Sequence, residues 1–532
     1  MNGYYYVTEQ NLSSSRVVVR SGAFNLLGYA ASSLFVLFLV PLIVHYVGAE
    51  MFGLWSLMLA LTGYLGLADV GLATSFTKYV AEFSTQKDPV RVNRVMTHGL
   101  VFYAVLSLVF LVVGYTAFPY LFNLLNIPAQ QFENARTIFL LSLLSFGASS
   151  IGSVFASILS GIQRTDLLSI IMSIAFAVKL AAMSATLVLG WGISAMVSAD
   201  VLTTVLTSIP LYLASKRCLP YLEIRFRSYD HALMKTLLRF GSHLQVSRVA
   251  EAILLQFDKL LISRFVGLSS VSMYDFGSRP LARLRALEVS SVGALIPAIS
   301  ELQASNNDQR IVSAMSRSSK YLGMMSFPVF GFLFFFADPI IEVWLGKGYG
   351  QAALTMKILV VSYCLNVLAS PVGFVGQGRG ETKYQMWVAA AQSILNIVLS
   401  FTLIRNFGYF GAVVGTAIAM CIGALLLIAW YGKRVVENPV ALHVKLWMKP
   451  FISSLLALFS VRAIFSLIAG HQERSLLAME LVLALVSAVV LCTFAYRWTK
   501  TLTQDDRTFL AGVLPGKLQR ALHVLAPSTV GG

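Results

Sequence analysis

Stretches of roughly 20 mostly apolar residues, the length a helix needs to cross bilayer hydrocarbon at 1.5 Å per residue, recur along nearly the whole of this 532-residue chain. That recurrence makes the membrane the scaffold of the fold, not an anchor for a soluble domain. At 57% hydrophobic and 12% charged residues, the chain carries more apolar surface than soluble cores of ordinary domain size can hide. The first stretch, from about Val17 to Val47, follows a polar leader with Arg16 and Arg20. It is longer than a signal-peptide core and lacks a small-residue cleavage site, so it is expected to remain as the first helix.

The pattern predicts an all-α integral membrane protein with about fourteen transmembrane helices. They fall near 17–46, 53–77, 95–118, 137–160, 167–189, 194–215, 236–263, 271–300, 320–344, 354–375, 384–404, 410–432, 449–469 and 474–496. The net charge of +16 acquires meaning only when sorted by loop. With the N-terminus inside, inner segments hold 27 Lys and Arg, whereas outer segments hold five: Arg136, Arg264, Lys347, Arg405 and Arg474. Under the positive-inside rule both termini face the cytoplasm, which fits a multi-pass protein of a bacterial inner membrane. The basic excess is thus topological, or an attraction to anionic membrane lipids, and no nucleic-acid partner is expected. Four cysteines without a CxxC pair and seven scattered histidines suggest no metal site, redox centre or cofactor.

The first half slides onto the second by 219 residues: Gly22 meets Gly241, Val47-Gly48 meets Val266-Gly267, Asp69 falls on Glu288 and Glu82 on Glu301. At a slightly smaller offset, the inner turn from Gly161 to Asp166 is similar to that from Gly376 to Glu381, and Lys216-Arg217 to Lys433-Arg434. Six helices per repeat is an even number, so the halves are expected to be parallel, related by an axis along the membrane normal. The expected organisation is a six-helix lobe over 1–234, a second over 235–437, and an extra helix pair with a cytoplasmic tail over 438–532, the pair packed on the second lobe.

Gly22-Ala-Phe-Asn-Leu-Leu-Gly28, Pro41-Leu-Ile-Val-His-Tyr-Val-Gly48, Phe52-Gly-Leu-Trp55, Tyr64-Leu-Gly-Leu-Ala-Asp-Val-Gly-Leu72 and Lys78-Tyr-Val-Ala81 together resemble the start of the polysaccharide-transporter, or O-antigen flippase, family. That family lies within the multidrug/oligosaccharidyl-lipid/polysaccharide exporter superfamily. The likeness extends through Phe240-Gly241, Asp258-Lys-Leu-Leu-Ile262, Phe265-Val-Gly267 and the two inner turns, over about 430 residues. The resemblance implies movement of polyprenyl-diphosphate-linked glycans between leaflets, coupling to H+ or Na+, and work alongside glycosyltransferases and a polymerase of the same pathway. The extra C-terminal pair departs from the commonest twelve-helix O-antigen type and is similar to the fourteen-helix peptidoglycan-precursor flippases of the superfamily.

An ionisable side chain at mid-bilayer costs a few kcal/mol and normally faces a cavity or a partner. Nine such residues crowd the seventh and eighth helices: Arg248, Glu251, Asp258, Lys259, Asp275, Arg279, Arg283, Arg285 and Glu288. Arg is the side chain best suited to bidentate phosphate contacts. Arg248, Arg279, Arg283 and Arg285, with Lys179 of the first half, are therefore the candidates for a basic cavity that receives a diphosphate and its glycan. Asp69, Glu251, Asp258, Asp275 and Glu288 are candidates for a coupling ion or for charge pairs. The alternative is structural: Arg279 with Asp275, or Lys259 with Asp258, holding helices together, and Lys179 paired to a carboxylate or snorkelling. Pro280, Gly323, Pro328 and Gly331 read as hinges or as packing sites.

A multidrug or metabolite exporter of the same superfamily would share this architecture. A membrane glycosyl polymerase or ligase would need a sizeable outer domain, and the longest predicted outer loop, 119–136, is under twenty residues. No Ser-His-Asp, Cys-His or paired-carboxylate constellation lies in a loop long enough to form an active site, so an enzyme is not expected.

Overall fold

A computed structural model describes residues 37–69, 71–224, 230–242, 245–468, 473–506 and 508. Every regular element among them is helical: α1 (Leu37–Leu65), α2 (Leu72–Thr85), α3 (Pro89–Leu124), α4 (Phe132–Gly161), α5 (Thr165–Val188), α6 (Gly192–Cys218), α7 (His231–Ser242), α8 (Gln245–Phe265) and α9 (Leu268–Ser291) are followed by α10 (Leu295–Ala304), α11 (Asp308–Phe335), α12 (Ala337–Leu345), α13 (Gly350–Gly378), α14 (Thr382–Phe407), α15 (Tyr409–Leu426), α16 (Pro439–Ile468) and α17 (Arg474–Trp498). Among the described residues, ten helices are long and apolar enough to cross a membrane, and up to eleven if α11 and α12, bent by 70° at their junction, form one span. Helices α8 and α9 are long enough, at 21 and 24 residues, but their charges set them apart.

Whole faces of α3 and α5 stay outside the protein core, with Val105, Leu108 and Val112 on α3 and Ile174 and Val178 on α5 all more than half exposed. Apolar faces of that extent are solvated by lipid, so the chain is a multi-pass membrane protein.

Several expected helices are broken. The expected span 53–77 ends as a 3-10 turn, Gly66–Asp69, before α2. The expected span 271–300 divides into α9 and α10, and 320–344 divides at Phe336 into α11 and α12. Continuous hydropathy hides such breaks, because the flanking residues stay apolar while the backbone hydrogen bonds are rerouted. Expectations that fall on 1–36, including Arg16, Arg20 and Gly22, lie outside the described residues.

The internal repeat is written into the backbone. Gly48 and Gly267, 219 residues apart, have positive φ of 84° and 128°, and Lys87 and Asn306, also 219 apart, have 56° and 52°. Asp88 and Asn307 accept the backbone N–H of Arg91 and Arg310 as N-caps of α3 and α11. The inner turns correct the register read from sequence: Gly161 pairs with Gly378, not Gly376. Arg164 N–H donates to Leu159 O as Glu381 N–H does to Gly376 O, and Gln163 and Gly380 share positive φ of 59° and 74°. A Cβ on Gly161 would stand 2.9 Å from Thr77 O, and one on Gly378 would stand 2.8 Å from Ile296 O. Thr77 and Ile296 are themselves 219 apart. The offset at these turns is therefore 217, because two residues fewer separate the turns in the second half.

Two compact units, Met1–Ser272 and Met273–Gly532, are each organised around their own cores. In the first, Phe76, Val80, Met96, Tyr103, Val154, Ile158 and Leu211 interlock α2, α3, α4 and α6. Helix α8 is tied into the same unit by Lys259 Nζ, which donates to Ser56 Oγ at 3.1 Å, and by Ser263 Oγ, which donates to Leu125 O. In the second unit, α16 and α17 clasp α11 and α12 through Phe332, Phe336, Leu458, Phe465 and Ala484. Gly331 lets Leu458 approach and Gly323 lets Trp447 approach, so these two glycines serve packing.

The chain beyond α17 closes that clasp. Asp506, 4% exposed, binds Lys320 Nζ at 2.5 Å, the Tyr321 hydroxyl, and the N–H and hydroxyl of Thr503. Burial alone raises this carboxyl, but those donors together hold it at about 2, below the ordinary aspartate range. The clasp's stabilisation is therefore complete above about pH 4 and is lost as pH falls towards 2, about 2 kcal/mol in all. Asp506→Asn should lower the thermal midpoint at pH 7 in detergent, and the gap to the native protein should close on acidification.

Candidate functional site

Helix α9 carries the densest line of chemistry in the second unit. Gly277 sits so close to α13 that a Cβ there would stand 2.7 Å from Ala352 O, and Phe276, fully buried, packs edge-on against Trp344 and Tyr349. That anchorage fixes the rotation of α9 and hence the direction of the charges that follow at one-turn spacing. Asp275 and Arg279 form an i,i+4 ion pair, with side chains 4% and 16% exposed. Arg285 Nε donates to Asn366 Oδ1 on α13 at 2.7 Å. Glu288, fully buried, accepts a hydrogen bond from Ser326 Oγ on α11.

Arg283 differs from its neighbours. It is exposed and, among the described residues, makes no hydrogen bond or ion pair, although it lies within electrostatic reach of Asp275 and Arg279. At 1.5 Å per residue it stands about 22 Å along α9 from Leu268. An exposed guanidinium with no protein partner is open to water or to an anionic ligand.

The remaining candidates divide. Lys179 on α5 is bound to Asp200 on α6 at 2.6 Å and to Thr204 Oγ1 at 2.9 Å, while Ser145 Oγ on α4 donates to Asp200 at 2.5 Å. This closed network carries the carboxylate-paired reading of that lysine. Asp69 accepts a hydrogen bond from the Tyr103 hydroxyl on α3, not from Tyr64, whose hydroxyl faces Asp258 instead. Asp258 is fully buried beside Lys259, Glu251 is exposed on α8, and the Arg248 side chain lies outside the described residues. Sequence reasoning missed Ser326, Tyr103 and Asn366, which carry no charge and so leave no hydropathy signal. It also passed over Arg462 on α16, whose guanidinium lies 5.5 Å from the Phe336 and Phe465 rings, and Glu480 on α17.

A helical membrane protein built from a doubled unit, with an exposed guanidinium on α9 that makes no ion pair among the described residues, fits the membrane exporters. The family described as polysaccharide biosynthesis protein matches residues 18–303, and the MatE family matches 244–402. The chain belongs to the polysaccharide biosynthesis protein family, the polysaccharide-transporter branch of the multidrug/oligosaccharidyl-lipid/polysaccharide exporters. It is 22% identical over 413 residues to a candidate O-antigen transporter of Shigella flexneri, covering 77% of this chain and 96% of that one. It is 23% identical over 192 residues to a candidate low-salt glycan biosynthesis flippase of Haloferax volcanii, covering 36% and 41%. Among solved structures, the fold is similar to the lipid II flippase MurJ in an inward closed conformation, with TM-score 0.67, 14% identity, and 91% and 98% of the two chains covered. It is also similar to an inward-facing MATE multidrug resistance transporter, with TM-score 0.65, 17% identity, and 77% and 95% covered.

Proposed function

We propose that the chain is a flippase that moves a polyprenyl-diphosphate-linked oligosaccharide, a precursor of surface polysaccharide or O-antigen, from the cytoplasmic to the outer leaflet by alternating access. The observation that carries the reading is Arg283, an exposed guanidinium on α9 without a hydrogen bond or ion pair among the described residues, in a chain of the polysaccharide biosynthesis protein family. The barrier to flipping is the diphosphate, since an ionised group entering hydrocarbon unpaired meets a cost far above thermal energy. Guanidinium groups supply bidentate, charge-assisted hydrogen bonds that replace its water. In this reading Arg283 is the first contact, Arg285 two positions on adds to it, and the polyprenyl tail stays in lipid. No bond is made or broken, so the protein acts as a transporter and not an enzyme.

The charge asymmetry of the loops supports a bacterial inner membrane with both termini cytoplasmic. Lobes 1–234 and 235–437 are the moving parts, and glycosyltransferases and a polymerase of the same pathway are its working partners. The coverage of the lipid II flippase fold, 98% of that chain, favours a peptidoglycan precursor as the second reading; the diphosphate chemistry is the same. Deleting the gene is expected to raise lipid-linked oligosaccharide in the membranes and to abolish the matching surface polymer. Unchanged pools of both overturn the proposal, and accumulated peptidoglycan precursor selects the second reading.

A further inference from the structure

We propose that the C-terminal helix pair is a splint for α11, in which Tyr496 supplies to the Met324 carbonyl the hydrogen that Pro328 withholds; the inference does not depend on the flippase reading. A proline inside a helix has no N–H for the carbonyl four residues before it, which weakens the helix at that turn and lets it bend. Pro328 lies inside α11 and so deprives Met324 O. The Tyr496 hydroxyl of α17 donates to that oxygen at 3.0 Å. Ser454 Oγ on α16 stands 2.6 Å from the same phenol oxygen and ties α16 into the link. Tyr496 and Ser454 are 5% and 1% exposed, so little water competes for the bond.

Such a bond is not a general feature of the prolines in this fold. Pro119, Pro210, Pro371 and Pro450 also lie inside helices, yet among the described residues no side chain donates to the carbonyls they deprive, those of Tyr115, Leu206, Val367 and Leu446. The first half of the repeat has neither the proline nor a helix pair: 219 residues before Pro328, α3 carries Val109, which keeps its N–H and is 46% exposed. Proline and pair therefore occur together. The pair also grips backbone oxygens on either side of Pro328. Trp447 Nε1 on α16 donates to Ser319 O at 3.3 Å, and Arg474 at the start of α17 donates to Val343 O and Trp344 O at 2.7 and 2.8 Å. The last two belong to the final turn of α12, where carbonyls have no donor within their own helix. Bonds to backbone oxygens fix the course of a helix, so the pair holds α11 and α12 against bending at the proline.

Hydrogen exchange of the full-length protein in lipid nanodiscs, read by mass spectrometry over α11, tests the splint. Tyr496→Phe keeps the ring and removes the donor, and should speed exchange of the amides around Pro328 about fivefold, the effect of losing one buried hydrogen bond. Pro328→Ala gives Met324 O a backbone donor, so on that background Tyr496→Phe should change the exchange by less than about twofold. Pro328→Gly restores the same N–H and takes its place if the alanine variant does not fold. The thermal midpoint in detergent should follow the same pattern, falling with Tyr496→Phe only while the proline is present. Equal effects of Tyr496→Phe with and without the proline overturn the proposal, since the tyrosine then only packs. Unchanged exchange in Tyr496→Phe alone overturns it as well, because α11 is then held without the bond.

Discussion

Arg283→Ala is expected to cut export of lipid-linked oligosaccharide by about 30-fold or more while the amount of folded protein in the membrane stays unchanged. The size follows from removing one desolvated, charge-assisted contact to a phosphate, worth about 2–5 kcal/mol when its partner is left buried. The absence of a stability cost follows from the structure, because Arg283 is exposed and makes no hydrogen bond or ion pair among the described residues. Arg283→Lys should recover part of the activity, since an ammonium keeps the charge and loses the bidentate geometry. Export assays paired with quantification of membrane-inserted protein give the answer, and native export by Arg283→Ala removes this residue from the pathway.

The opposite result is expected two turns away. Asp275→Ala leaves the Arg279 guanidinium, 16% exposed, without the carboxylate that neutralises it, and breaking a buried pair of this kind costs about 3–5 kcal/mol. The variant should lose most of its folded yield and melt well below the native protein in detergent. Asp275→Leu combined with Arg279→Met should restore much of that stability, because apolar side chains of similar volume dispense with the pair altogether. If Asp275→Ala melts like the native protein, the pair is not what holds this part of α9, and Arg279 returns to the list of ligand-binding cations.

The contrast between these two arginines shows where sequence reading stops. The crowding of charges on the seventh and eighth helices was legible, since few forces other than function or pairing keep nine ionisable residues in two membrane segments. Which arginine is paired was not legible, because helical spacing allows Asp275 to reach Arg279 and equally allows both Arg279 and Arg283 to face a cavity. The decision lies in the rotation of α9, set by Phe276 and Gly277 against their neighbours, and long-range packing leaves no periodic trace.

The repeat was legible where it is carried by side-chain identity, as at Val47-Gly48 and Val266-Gly267. It slipped at the inner turns because Gly161 has two glycines, Gly376 and Gly378, to choose from, and only the close approach to Thr77 and Ile296 settles the choice. Helix breaks at Gly66–Asp69 and at Phe336 were likewise silent. Both breaks lie within long hydrophobic windows, and such a window reads the same whether the helix runs straight or, as at Phe336, turns by 70°. Lys179 illustrates the remaining gap: its partner Asp200 lies 21 positions away on the next helix, a pairing that topology creates and local pattern cannot show.

The most direct test of the account is translocation by the purified protein. Vesicles holding the native chain and a polyprenyl-diphosphate-linked oligosaccharide should expose the glycan of the far leaflet to an impermeant glycan-modifying reagent over time, whereas vesicles with Arg283→Ala should stay near the protein-free rate. Equal, protein-free rates for the native chain, in vesicles where it is folded and spans the bilayer, would contradict the flippase assignment.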